Sequence, residues 1–330
     1  MQQPNNASKQ RIIVSGGAGF IGSHLCESLV KKGYKVVCVD NFLTGSKDNV
    51  EHLMEESNFL LINADVTKKL PDVLTDEPID YVFHLASPAS PNASSDISYI
   101  SLPLETMDVN SIGTRRLLRL SRAKQARFVY ASTSEVYGDP KVHPQTEDYW
   151  GYVNPNGVRS CYDESKRFGE ALTMVYVRKF ELDARIVRIF NTYGPRIATR
   201  DGRSLVNFVV QALKNKPMTV YGKGKQTRSF CYVTDLVSGL EKLMFKDGIA
   251  GEVVNLGNTD EYTILEVAKK IQKMIKSKSK IVFEDLPEDD PTRRKPDISK
   301  ARKMLGWSPK IKFSTGLEKT IEYYQKLIER

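Results

Sequence analysis

The chain has 330 residues, 40% hydrophobic and 27% charged, with 49 Lys+Arg against 40 Asp+Glu and a formal net charge of +9. At roughly 150 residues per domain this predicts about two domains, with too much apolar material for a disordered chain. No apolar run nears the ~18–20 residues of a bilayer span, and Met1–Gln10 lacks the apolar centre of a signal peptide, so a cytoplasmic protein without membrane contact is expected. The positive excess raises nucleic acid as a partner, but its pattern argues against one. Lys269, Lys270, Lys273, Lys276, Lys278 and Lys280 are followed at once by Glu284, Asp285, Glu288, Asp289 and Asp290. That reads as a solvated helix and an acidic loop, not a continuous basic stripe. Cys26, Cys38, Cys161 and Cys231 have no metal-ligand or C-x-x-C spacing, and His24, His52, His84 and His143 do not cluster. A reduced, metal-free protein is expected.

In chain order, residues 11–15 form a short β-rich run, Gly16-Gly17-Ala18-Gly19-Phe20-Ile21-Gly22 follows, and Ser23 to Lys32 has helical periodicity ended by Gly33. Lys35 to Asp40 is a second apolar strand, which completes a βαβ unit. Further strands are predicted at 59–62, 80–86, 127–132, 185–190 and 252–256, and helices at 104–124, 163–180, 204–215, 234–245 and 263–276. Apolar strands separated by helices predict a doubly wound parallel sheet of the Rossmann type, covered on both faces. The alternation weakens after about residue 190, and Val253 to Leu256 returns to strand character. The expected division is therefore interleaved. Residues 1–190 plus about 231–258 form a nucleotide-binding domain. Residues about 191–230 plus 259–330 form a smaller C-terminal substrate domain.

The G-x-x-G-x-x-G spacing at Gly16, Gly19 and Gly22 follows a strand and opens a helix, the context that gives it meaning. Gly16 permits a tight turn, Gly19 lets backbone N–H groups approach a pyrophosphate at the helix N-terminus, and Gly22 lets helix pack on strand. Asp40, at the end of the second strand, suits ribose hydroxyls and repels a 2′-phosphate, which favours NAD over NADP. The alternative for Asp40 is a turn cap. Asp65-Val66 ends the third strand and suits adenine, or else Asp65 is a simple turn residue.

Tyr162 and Lys166 stand four apart near the start of a predicted helix and so face the same way. A lysine ammonium beside a phenol favours phenolate, which would lower the Tyr162 pKa and make it a general base for an alcohol. Upstream, Ser132-Thr133-Ser134-Glu135-Val136-Tyr137-Gly138 follows an apolar strand, where ligands bind in such sheets. Thr133 is placed to bond a substrate hydroxyl, with Ser134 and Glu135 flanking the sugar.

With these segments the chain resembles the extended short-chain dehydrogenases/reductases that act on nucleotide sugars, over nearly its whole length, and among them the UDP-glucuronate decarboxylases. The resemblance is carried by Ser132–Pro140, His143-Pro144, Trp150-Gly151, Val153–Pro155, Arg159–Glu164, Arg188–Arg196, Gln226–Phe230, Arg293–Asp297 and Leu305–Trp307. It implies a Thr133, Tyr162, Lys166 triad, with Ser134 and Glu135 beside the sugar carboxylate. Related dehydratases carry an acid at the Ser134 position and related epimerases a small residue at the Glu135 position, which argues against both reactions. It also implies cofactor contacts from Phe20, Ile21, Asn41, Leu85 and Ala86. Substrate contacts are implied from Ser87, Pro88, Asn191, Arg196, Arg228 and Arg294, with Tyr221 near the uracil. Residues 92–106 depart from the family pattern, being longer than expected before Asn110 and Gly113-Thr114.

The implied reaction is NAD-dependent decarboxylation of UDP-glucuronate to UDP-xylose through a transient 4-keto sugar. A UDP-sugar 4-epimerase on the same triad and a non-catalytic NAD-sensing scaffold stay open. Helices 104–124 and 163–180 carry apolar faces, which ordinary packing on the sheet explains in part; the resemblance implies that they pair across a two-fold as the four-helix interface of a homodimer.

Overall fold

The computed structural model describes residues 10–329. The reading of Met1–Gln10 as leaderless and the first and last positions of the domain division lie mostly or wholly outside the described residues. β1 (Arg11–Ser15) turns into α1 (Phe20–Lys31), followed by β2 (Lys35–Asp40), β3 (Phe59–Asn63), α2 (Asp72–Thr75) and β4 (Tyr81–His84). Next come α3 (Pro103–Asp108), α4 (Thr114–Lys124), β5 (Arg127–Thr133), α5 (Ser160–Phe180), β6 (Ala184–Ile189) and β7 (Thr192–Tyr193). α6 (Ser204–Leu213), β8 (Met218–Tyr221), β9 (Thr227–Ser229), β10 (Cys231–Tyr232), α7 (Val233–Phe245) and β11 (Val253–Leu256) follow. The chain then runs through β12 (Glu261–Thr263), α8 (Ile264–Ile275), β13 (Ile281–Glu284), β14 (Arg293–Arg294), α9 (Ser299–Leu305) and α10 (Phe313–Glu329).

Seven strands form one parallel sheet in the order β11-β6-β5-β4-β1-β2-β3, so this is a Rossmann-type doubly wound α/β fold. The strands read as nearly unbroken Val/Ile/Phe runs because helices cover both faces. On one face Leu25 and Leu29 of α1 and Leu236, Leu240 and Met244 of α7 are buried, and on the other Leu117 and Leu118 of α4 and Tyr176 of α5. In this order the chain leaves β1 toward β2 on one side and returns to β4 on the other. The carboxyl ends of β1 and β4 therefore border a crevice. Across it the smaller sheets, β10-β7, β12-β9-β14 and β13-β8, assemble from residues 192–294.

Three local features differ from the sequence reading. The predicted helix 104–124 is interrupted by a π turn over Val109–Gly113. That bulge lets Asn110 donate from Nδ2 to Ser87 Oγ and to Ser165 Oγ, both at 3.1 Å. The helix predicted from 163 begins at Ser160, which puts Tyr162 in its first turn. Helices α9 and α10 were not anticipated; α10 buries Phe313, Leu317 and Tyr324.

Candidate active site

The crevice is a cavity of about 1340 Å³, lined by every residue that the sequence assigned to cofactor, substrate or chemistry, from Gly16 in the first turn to Arg294 in β14. Its nucleotide half is built mostly from one stretch of chain, Gly16 to Val66, closed by Leu85 and Ala86 after β4. Gly16 takes φ +73°, and a Cβ there would sit 2.6 Å from Ala86 N, beside Leu85. At Gly22 a Cβ would lie 2.1 Å from Gly16 O, so α1 packs directly on the turn. Gly19 is the N-cap of α1. Phe20 and Ile21 follow in the first helical turn, partly buried. The first-turn N–H groups of a helix without an acidic or side-chain cap favour an anion.

Asp40 does act as a turn cap. Its Oδ2 accepts Ala18 N at 3.0 Å and its Oδ1 accepts Phe42 N at 2.8 Å. A carboxylate has about four acceptor sites, so these bonds orient it without exhausting it. Asp65 Oδ1 accepts the Thr67 N–H at 2.8 Å and its hydroxyl at 2.7 Å, the local turn that sequence left open. Asn41, Asp65 and Val66 line the same end of the cavity. Glycines that a Cβ would clash with, a helix N-terminus and an oriented carboxylate fit a dinucleotide. The residues that would hold NAD are these.

At the centre stand Thr133, Tyr162 and Lys166. Tyr162 and Lys166 are buried in the first two turns of α5. The Tyr162 phenol is hydrogen-bonded to Thr133, and Lys166 donates from Nζ to Ala131 O at 2.9 Å. Lys166 Nζ also lies 5.7 Å from the Tyr162 ring centroid. The expectation that Lys166 lowers the Tyr162 pKa is not met here. Burial, with the charge of Glu135, pushes the phenol up. Burial pushes Lys166 down to about 7, with Glu170 opposing. The physical reason is desolvation, which disfavours the charged form of both groups.

The sugar half is an ionic cluster. Thr133 Oγ1 accepts the Glu135 N–H at 3.2 Å and caps a 3-10 turn over Ser134–Tyr137. Ser134 is buried in that turn. Glu135 Oε2 accepts Arg159 Nη2 at 2.7 Å and the Tyr99 hydroxyl at 3.0 Å, and Arg294 Nη1 lies 3.4 Å from Oε1. Burial opposes the Glu135 charge, but Arg159 and Arg294 hold it below the usual carboxylate range. Asp163, bonded to Glu135, is pushed well above that range by burial and by the Glu135 charge. Arg228 donates to Asp290 Oδ2 at 3.0 Å, and Arg159 reaches Asp290 Oδ1 at 3.3 Å. Asp290 therefore leaves the solvated acidic run that the sequence suggested and joins the site.

Three polar atoms of cavity-lining residues are buried without a partner among the described residues: Asn191 Oδ1, Arg294 Nε and Arg196 Nη1. Such atoms in a roomy polar cavity mark where a polar ligand sits. Ser87 and Pro88 line the wall below Asn110, and Tyr221 ends β8 at the far rim.

Sequence reasoning missed Tyr99, Arg159, Asp163 and Arg203 as site residues. Tyr99 stacks on Tyr162 with centroids 4.6 Å apart and planes 4° from parallel. It lies within the loop over residues 92–106, where no local signal points to it. Arg159 had a signal, since it stands three before Tyr162 at a helix start. Arg203 is held by Asp201 at 2.6 Å and 2.9 Å, and its charge opposes the rise of the Tyr162 pKa. Among the described residues no group of His, Cys, Asp or Glu could hold a metal, and no helix is long and apolar enough to cross a membrane.

Comparison with known proteins agrees with this architecture. UDP-glucuronic acid decarboxylase 1 of Danio rerio is 49% identical over 321 residues, 97% of this chain and 74% of the relative. UDP-glucuronic acid decarboxylase 6 of Arabidopsis thaliana is 49% identical over 311 residues, 94% of this chain and 87% of the relative. The crystal structure of UDP-glucuronic acid 4-epimerase from Bacillus cereus, in complex with UDP-glucuronic acid and NAD, superposes with a TM-score of 0.86 at 32% identity, covering 96% of this chain and 100% of that one. The family model of GDP-mannose 4,6 dehydratase matches residues 13–320. The chain thus belongs to the GDP-mannose 4,6 dehydratase family, among the extended short-chain dehydrogenases/reductases.

Proposed function

We propose that this protein is an NAD-dependent carboxy-lyase that converts UDP-glucuronate to UDP-xylose. The observation that carries the reading is near-full-length identity of about 49% to UDP-glucuronic acid decarboxylases. Glu135 supports it, held between two arginines beside the buried Tyr162. When bound, NAD supplies reversible hydride exchange at C4 of the sugar. Gly16, Gly19, Phe20, Ile21, Gly22, Asp40, Asn41, Asp65, Val66, Leu85 and Ala86 hold it, with Tyr162 and Lys166 at the reactive end. The described residues up to 190 with about 231–258 form its domain, and about 191–230 with the described residues from 259 on form the nucleotide-sugar domain.

Tyr162 takes the proton of the C4 hydroxyl, and Thr133 shares a hydrogen bond at the same oxygen. The raised phenol pKa means the ligand-bound site must supply the missing stabilisation of phenolate, and Lys166 and Arg203 are the cations positioned for it. Once C4 is a ketone, the carboxylate on C5 lies β to a carbonyl. Carbon dioxide leaves, and the electron pair rests on the ketone oxygen, where Tyr162 and Thr133 donate. C5 is then protonated, and return of the hydride to C4, with Tyr162 giving its proton back to the C4 oxygen, would restore the hydroxyl and leave NAD unchanged. Ser134 and Glu135 flank the departing carboxylate, and the negative Glu135 destabilises it before departure. Ser87, Pro88, Asn191, Arg228, Arg294 and Tyr221 hold the UDP-sugar.

The test is incubation of the protein with NAD and UDP-glucuronate, read by mass. The expected product has lost carbon dioxide with no net reduction of NAD. A product of unchanged mass is the epimerase outcome, and absence of turnover with NAD still bound is the scaffold outcome.

Leu104 (72% exposed), Met107, Ile112, Phe168 and Val175 present apolar side chains on α3, the π turn and α5. These faces suit a homodimer through a four-helix interface, which sedimentation checks. Cytoplasmic placement fits Cys26 and Cys38, two buried thiols in contact with one another.

A further inference from the structure

Family resemblance puts Arg196 with the substrate-binding arginines, yet its contacts run toward the nucleotide half. Arg228 and Arg294 are tied to Asp290 and Glu135 in the sugar half. Arg196 is tied to α1, the helix that opens from the glycine turn. Its Nη2 donates to Glu27 Oε2 at 2.6 Å and lies 3.4 Å from His52 Nε2. One residue earlier, the Pro195 carbonyl meets His24 Nε2, also on α1, at 3.1 Å. The turn after β7 is therefore docked on the cofactor helix although it leads into the smaller sheets.

The docking is specific. Arg196 has φ +71°, a left-handed conformation that a non-glycine residue keeps only where its surroundings over-determine it. Glu27 is shared by Arg196, by Lys31 at 2.5 Å and by His52 at 3.2 Å, so it anchors one edge of the guanidinium. The other edge is open. Arg196 Nη1 is buried and finds no acceptor among the described residues, while the side chain lines the same cavity as Gly19, Phe20 and Gly22. A buried, unpaired guanidinium N–H is unfavourable, and its planar fork matches phosphate oxygens. The anion expected beside an uncapped helix N-terminus and a glycine turn is a pyrophosphate.

We infer that Arg196 is a cofactor-binding residue: pinned to Glu27 on one edge, it offers Nη1 to a phosphate oxygen of the NAD pyrophosphate and does not hold the diphosphate of the UDP-sugar. This rests on the reading that the protein binds NAD and a UDP-sugar. It assigns the phosphate groups of the two ligands to different arginines, Arg196 for one and Arg228 with Arg294 for the other.

The test is equilibrium titration of the full chain, freed of bound nucleotide, with NAD, with ADP and with UDP. Arg196→Met is expected to lose tenfold or more in affinity for NAD and ADP, with UDP affinity within twofold of the parent. Arg196→Lys keeps a point charge without the fork and is expected to fall between the two. Thermal melting reports whether each variant is folded. Should Arg196→Met not fold, Glu27→Gln, which frees the anchored edge, is expected to lose several-fold in NAD affinity with UDP unchanged. Loss of UDP affinity with NAD unchanged overturns the inference. So does unchanged affinity for both ligands in folded variants of a parent that binds both. A parent that binds no NAD overturns the functional reading along with it.

Discussion

The two halves of the cavity are built in different ways. In the nucleotide half the groups that face the ligand are backbone N–H donors, glycines and the carboxylates of Asp40 and Asp65, all supplied between β1 and the turn after β3. In the sugar half they are the charged side chains of Glu135, Arg159, Arg228, Asp290 and Arg294, brought together from distant segments and backed by the Tyr99 hydroxyl. The first is held by local steric necessity, because a Cβ at Gly22 has nowhere to go. The second is held by mutual neutralisation of buried charge, which fails as a unit when one partner is removed.

The contrast can be broken most directly at Tyr162, where the halves meet. Tyr162→Phe should lower turnover by ~10²–10⁴-fold, the usual range for a general base, while NAD affinity stays within a few-fold of the parent. Steady-state rates and NAD titration check this, and a variant with unaltered turnover removes Tyr162 from the chemistry. Glu135→Ala leaves Arg159 and Arg294 facing each other without their carboxylate. It should cost about 3–5 kcal/mol in urea unfolding, the range for breaking a buried pair from one side. A double change, Glu135→Leu with Arg159→Met, should recover part of that loss. If the single change is neutral, the sugar half is not held by charge.

The nucleotide half has a charge-linked component of its own in His24. Burial, and then Arg196, lower its pKa to about 4, so the folded chain favours the neutral imidazole. A folded pKa below the unfolded value of about 6.5 gives stability that is complete above pH 6.5 and is lost as pH falls toward 4. The loss should reach about 3 kcal/mol at most and be reduced in His24→Gln. Urea midpoints at neutral and acid pH for both proteins measure it. The smallest effect is expected at Gly22→Ala. The added methyl must push α1 from the turn, costing about 1–3 kcal/mol and weakening NAD more than UDP binding. Equal weakening of both would mean that the halves are not separable.

Legibility follows the same division. The glycine turn, Asp40 and the Tyr162/Lys166 pair were readable because each depends on spacing within one or two elements. The start of α5 at Ser160 and the π turn over Val109–Gly113 were not. Their positions are set by bonds such as Asn110 to Ser165, between residues 55 apart in sequence. Asp290 illustrates the limit: in sequence it is one of five acids in a run, and only the pairing of β14 with β9 brings it to Arg228.

By itself the sequence determined the doubly wound sheet, the glycine turn that opens α1 and the shared helical face of Tyr162 and Lys166. These rest on periodicity and on turn geometry, which act over a few residues. The tertiary structure decided the charge states. A phenol pushed up, a lysine brought down to about 7 and a carboxylate kept ionised between arginines depend on burial and on partners from distant segments. Desolvation and Coulomb interaction act through space, and no local pattern of residues encodes them.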